Sequence, residues 1–142
     1  MTSLVARAAP PRPGWRGALR PAGVAAAAGA ALGYLAVVDP NQAGHYPTCP
    51  FLWVTGLYCP GCGSLRALHA LAHGDVATAV SRNPLAVAFV LVLAGLWVAW
   101  LQRQVTGRPR RVAPAWLVWA LLGVVLAFWV ARNLHGLEWL AP

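Results

Sequence analysis

Apolar and polar positions divide this chain into three uncharged runs separated by polar, turn-rich segments. The runs cover residues 22–38, 85–101 and 115–131, each 17 residues long. At about 1.5 Å rise per residue this is near the short end of what crosses a hydrocarbon core of about 30 Å. The pattern predicts an all-α membrane protein with three transmembrane helices, over 21–38, 84–101 and 115–131. The first span is rich in Ala and Gly, with Ala25, Gly29 and Gly33 four residues apart. Such a row of small residues lets a second helix approach closely. A cleaved signal peptide has some of the same features, and the long basic stretch before the run weighs against it.

The punctuation between spans is specific. Asp39-Pro40-Asn41 ends the first helix, because Pro cannot continue it and Asp and Asn favour turns. Aromatics and turn formers follow to Tyr58, with a short half-buried helix expected near residues 51–55. A helix is predicted over 63–73, with Leu65, Leu68, Leu71 and Ala72 on one face and Arg66, His69 and His73 on the opposite one. Gly74-Asp75 reads as a stop and a new N-cap, starting a short helix through Ser81. Asn83-Pro84 offers a capping residue followed by Pro at the first helical position. The segment 39–83 is thus an interfacial or re-entrant unit between the first two spans. Gly95 and Gly123, inside apolar runs, are assigned to helix packing.

Charge fixes orientation. The chain carries 11 basic residues, all Arg, against three acids. Four Arg lie in residues 1–20, expected as a disordered tail, and four more in the 102–114 loop; the 39–83 segment holds Arg66 and Arg82, and the 132–142 tail holds Arg132. The positive-inside bias places the N-terminus and the 102–114 loop in the cytoplasm, and the 39–83 segment and C-terminal tail outside. Trp97, Trp100, Trp116 and Trp119 then gather at the inner interface. The Arg residues flank spans and lack a folded module, which argues against nucleic-acid binding. Two Asp and one Glu give no arrangement for a hydrolase, so an enzyme is the less favoured class. The implied partners are the lipid bilayer and a further membrane protein on the Ala/Gly-rich first span.

Chemistry concentrates in Cys59-Pro60-Gly61-Cys62-Gly63-Ser64-Leu65-Arg66. Three readings fit. Cys59 and Cys62 at a helix start form a candidate redox pair, since free amides lower a thiol pKa there. A structural disulfide from Cys49 to either of them uses the same residues, and three Cys leave one thiol over. Cys49, Cys59 and Cys62 with His69 or His73 supply four candidate ligands for zinc, which favours thiolate and imidazole. Arg66 with the amides of Gly63 and Ser64 forms a candidate anion or lipid-headgroup site.

Cys49-Pro50, the run from Thr55-Gly56-Leu57-Tyr58 through Cys59-Pro60-Gly61-Cys62-Gly63, Arg66-Ala67, Gly74-Asp75 and Asn83-Pro84 together resemble the bacterial membrane family called domain of unknown function 2752. The likeness covers about residues 45–92. It implies a small polytopic membrane protein carrying this Cys-Pro-x-Cys-Gly signature and attaches no activity to it. The leading expectation is an accessory or structural membrane component, its external Cys segment held by a disulfide or metal. The alternative is a thiol–disulfide redox or metal-handling membrane protein.

Overall fold

The computed structural model describes residues 15–42, 44–109, 113–135 and 140. The disordered tail expected over 1–20 therefore falls outside the described residues for its first 14 positions. Every regular element among the described residues is helical. A 3₁₀ turn, Trp15–Ala18, leads into α1 (Leu19–Val37), followed by α2 (Pro50–Thr55), α3 (Ser64–Ala72), α4 (Val76–Arg82), α5 (Pro84–Thr106) and α6 (Trp116–Ala131). Two helical stretches, Trp15–Val37 and Pro84–Thr106, are each 23 residues and apolar enough to cross a bilayer. α6 is more apolar than either and shorter, at 16 residues.

Two boundaries differ from the sequence expectation. Residues 15–20, assigned to the tail, are helical. Leu19 and Arg20 are good helix formers, and Pro21 sits in the first turn, where the N–H it lacks has no intrahelical acceptor. The second long helix runs past Leu101 to Thr106, because Gln102, Arg103 and Gln104 also favour helix. It stops at Gly107, whose φ of 69° is the left-handed conformation that glycine reaches without strain. α1 ends where Asp39 folds back on the chain, its carboxylate accepting from the Asn41 amide at 2.8 Å and the Asn41 side chain at 2.7 Å.

The inner face of α3 also differs from the expected leucine stripe. Ala67 and Ala70 are buried against Ala79 of α4, while Leu65 remains 42% exposed. The antiparallel pair α3–α4 turns through Gly74 in a short connection, so the helix axes lie close and only small side chains fit between them. Leu71, Ala86 and Val87 close over this alanine core. No atom lies within 4 Å of a Cβ built on Gly29, Gly33, Gly95 or Gly123, so the small-residue positions of α1, α5 and α6 are not used for close packing within the described chain.

One end of the molecule draws the helices together. His69 on α3 donates from Nδ1 to the Leu35 carbonyl near the end of α1, at 2.7 Å. Asn83 caps α5, its Oδ1 accepting from the Ala86 amide at 3.0 Å. Its Nδ2 faces the Pro60 carbonyl at 3.0 Å, and the Cys62 carbonyl and Ser64 hydroxyl at 3.1 Å. Arg132 and Asn133, just past α6, bond the same loop. Toward the other end Trp97 of α5 donates to the Pro21 carbonyl at 3.0 Å. The loop 58–64 thus sits where the end of α6 and the start of α5 meet.

Asn83 is fully buried and belongs to both a helix cap and the loop. Asn83→Ala is expected to destabilise the fold by about 2–4 kcal/mol, combining about 1 for the cap with about 1–3 for stranded loop carbonyls. Thermal unfolding of detergent-solubilised protein checks this, and a melt matching the parent's would show that the loop is held without Asn83.

Candidate functional site

The loop is built from two overlapping turns. The Cys62 amide donates to the Cys59 carbonyl at 3.1 Å and the Ser64 amide to the Gly61 carbonyl at 3.0 Å. Gly63, with φ of 81°, reverses the chain into α3. The Cys59 amide points at the Cys62 sulfur, 3.3 Å away. Cys49 arrives from the N-cap of α2, where Pro50 takes the first helical position. The result is one cluster: Sγ of Cys59 lies 3.1 Å from that of Cys62 and 3.6 Å from that of Cys49. All three sulfurs lie within 4.8 Å of one another. They are free thiols, with Cys62 buried and the other two half-buried.

The last turn of α6 clamps this cluster from behind. Arg132 is 2% exposed and donates from Nη1 to the carbonyls of Cys59, Pro60 and Cys62 at 2.9, 3.3 and 3.2 Å. Its Nη2 donates to the Leu140 carbonyl at 3.2 Å, and its guanidinium lies 5.1 Å from the Phe128 ring centroid and 5.9 Å from that of Tyr58. Asn133 pairs reciprocally with the backbone of Tyr58, accepting from its N–H and donating to its carbonyl, both at 2.9 Å. Phe51 of α2 packs edge-on against Trp129 at 6.0 Å. The sequence places Arg132 and Asn133 in the tail that follows the third apolar run. The available signal was position: Arg132 is a lone Arg directly after an apolar helix, on the side that the charge bias leaves poor in Arg.

Electrostatics differ across the three thiols. Burial, reinforced by the adjacent Cys59 sulfur, pushes the Cys62 thiol up to about 12. The backbone amide of Leu52 at the start of α2 draws the Cys49 thiol down. Burial lowers Arg132, and negative charge on Cys62 and Cys59 would oppose that shift. Arg stays protonated throughout. Three thiolates this close repel one another, so without a further cation the cluster holds protons. Three thiolates beside one guanidinium leave two negative charges, which a divalent ion would cancel. A tetrahedral zinc with Zn–S near 2.3 Å separates its sulfurs by about 3.8 Å. Two of the observed spacings are 3.1 and 3.6 Å and the third is within 4.8 Å, so a modest outward shift would seat the ion. The half-buried side of the cluster opens into a cavity of about 700 Å³ lined in part by Tyr46, Tyr58, Leu65 and Arg66, leaving access for a fourth ligand.

The histidines lie elsewhere. The Nδ1 of His69 is bonded to Leu35, and its Nε2 faces Asp39 at 3.7 Å. His73 bonds the His69 carbonyl from Nδ1 at 2.9 Å, and the two rings lie 4.4 Å apart. Both line a second cavity, together with Arg66. The four-ligand set of Cys49, Cys59 and Cys62 with His69 or His73 is therefore divided between two places: the cysteines meet, and the histidines face the other cavity. Of the anion set, Arg66 and Gly63 line the larger cavity together. The Ser64 amide is taken by Gly61 and its hydroxyl by Asn83, and Gly63 caps α3 without lining the histidine cavity.

No curated protein and no solved structure matches the chain. A family model does match, over residues 49–97, from the first cysteine of the cluster to Trp97 of α5. The segment that carries the three thiols and the cap of α5 is similar to the family described as "Protein of unknown function (DUF2752)".

Proposed function

We propose that this chain is a multi-spanning membrane protein that binds a thiophilic divalent ion, best matched by zinc, through Cys49, Cys59 and Cys62. The observation that carries the reading is the three-sulfur cluster seated on the buried Arg132 guanidinium. Binding exchanges three thiol protons for the metal, forming three metal–sulfur bonds and leaving the buried group near neutral with Arg132. The open side supports a site that exchanges a ligand or hands the ion to a partner, alongside a structural role in holding the loop.

The membrane setting proposed here has three spans, with α6 as the third and the Cys segment outside. Its support is that the start of α5 and the end of α6 both bond the same loop, so the chain must return to that end. At 16 residues α6 is about 24 Å long, short for a span unless flanking residues contribute. The uncovered row of Ala25, Gly29 and Gly33 leaves α1 a face for another helix, and the exposed apolar sides of α5 and α6 suit lipid.

A second reading has its own observation. The 3.1 Å contact between Cys59 and Cys62 suits a dithiol that exchanges with an external disulfide, being oxidised as that partner is reduced. The raised Cys62 thiol makes it a poor attacking group, so in this reading Cys59 attacks and Cys62 is the buried partner.

Metal analysis of protein purified with zinc is expected to give about one ion per chain, and Cys59→Ser and Cys62→Ser should each reduce it at least about tenfold through loss of a ligand. Metal-free protein with a Cys59–Cys62 disulfide that cycles with dithiothreitol would establish the redox reading instead. The pH dependence has a definite sign. A thiol raised from 9.0 to about 12 stabilises the protonated fold. That contribution is complete below pH 9 and is lost as pH climbs from 9 toward 12. Unfolding of the chelated protein should show this loss, whereas zinc-loaded protein, having already released the proton, should not. A membrane-impermeant maleimide applied to intact cells should label Cys49 in metal-stripped protein; labelling only after permeabilisation would invert the proposed topology.

A further inference from the structure

We infer that the face shared by α3 and α4 is a binding site for a phosphate group, separate from the thiol cluster. A cavity of about 260 Å³ opens between these helices, lined by Arg66, His69, His73, Asp75, Thr78 and Arg82. Arg66 comes from the first turn of α3 and Arg82 from the last residue of α4, so an antiparallel hairpin brings two guanidiniums to one opening. Both are half-buried, unlike side chains that have simply snorkelled into water. Neither has a carboxylate within 4 Å among the described residues, where the ion pair present joins His69 to Asp39.

The lone acid in the lining does not neutralise them. Asp75 caps α4, its carboxylate accepting from the Thr78 amide at 2.9 Å, and hydrogen bonds from the Thr78 side chain and amide hold its pKa below the usual value. One negative charge therefore faces two fixed positive ones. His69 and His73 line the same opening. A carbonyl oxygen only accepts, so the bonds from His69 to Leu35 and from His73 to His69 place the ring protons on Nδ1.

The two guanidiniums form a donor pair that suits a tetrahedral oxyanion. The cavity has room for an ester substituent as well as the phosphate oxygens. The shared chemistry is a phosphate group, carried by a lipid headgroup or by phosphate in solution.

Calorimetric titration of the full chain in zwitterionic detergent tests this, with inorganic phosphate in one arm and dihexanoyl phosphatidic acid in the other. The parent should bind at least one of them, and Arg66→Gln/Arg82→Gln should weaken that binding at least about tenfold. Arg82→Gln alone, at a helix end where folding is least at risk, should weaken it severalfold. Arg103→Gln/Arg108→Gln, with the same charge change on and just beyond the end of α5, should leave it unchanged. Binding of the lipid alone assigns a headgroup, and binding of both with equal affinity assigns free phosphate. No binding of either by the parent, or an equal loss in both double variants, overturns the site. Zinc content read on the same samples keeps this result independent of the thiol cluster.

Discussion

A guanidinium buried at the end of an apolar helix is the constraint on which the rest of this site depends. Arg132 is taken out of water with no carboxylate beside it among the described residues, so its charge must be met by dipoles. The dipoles are the carbonyls of Cys59, Pro60 and Cys62, together with that of Leu140. A loop that turns three carbonyls toward one cation is held in one conformation. Two cysteines of the cluster belong to that loop, and their sulfurs are fixed as a consequence. Removing the guanidinium would strand the carbonyls, and removing the loop would strand the charge.

Asparagines complete what the arginine begins. Asn83 turns its acceptor to its own helix and its donor across the fold, whereas Asn133 turns both to Tyr58 and also donates to the Trp129 carbonyl. Asn133 reads the backbone of Tyr58 as a paired strand would. Asn83 joins the first turn of α5 to the loop, and the adjacent alanine core brings α3 and α4 close enough for it to reach. The thiol cluster is therefore supported on one side by α5 and on the other by α6.

The two cavities meet at Arg66, which lines both. Its position one turn into α3 makes it common to the thiol side and the histidine side. A charge arriving in either cavity would be felt by a single side chain, giving the two sites a direct physical connection. The histidines, in turn, couple the second cavity to α1 through Leu35 and Asp39.

Local chemistry was legible in the residues themselves. Uncharged runs mark the long helices, because a helix without charges suits an apolar surrounding. Asp75 and Asn83-Pro84 mark helix starts, because a side-chain acceptor and a missing N–H both satisfy the first turn. The clustering of Cys59 and Cys62 follows from two residues of separation on a Pro-Gly turn. What only the tertiary structure decided involves residues distant in sequence. Nothing near Arg132 or Asn133 points to a loop more than 70 positions earlier, because their partners are backbone carbonyls and amides, which every residue has. The separation of His69 and His73 from the cysteines was equally invisible, since helical spacing places them on a face and only packing against α1 decides what that face meets. The buried alanines of α3 replaced the expected leucines for the same reason: periodicity selects a stripe, and the distance to the neighbouring helix selects the size of side chain that fills it.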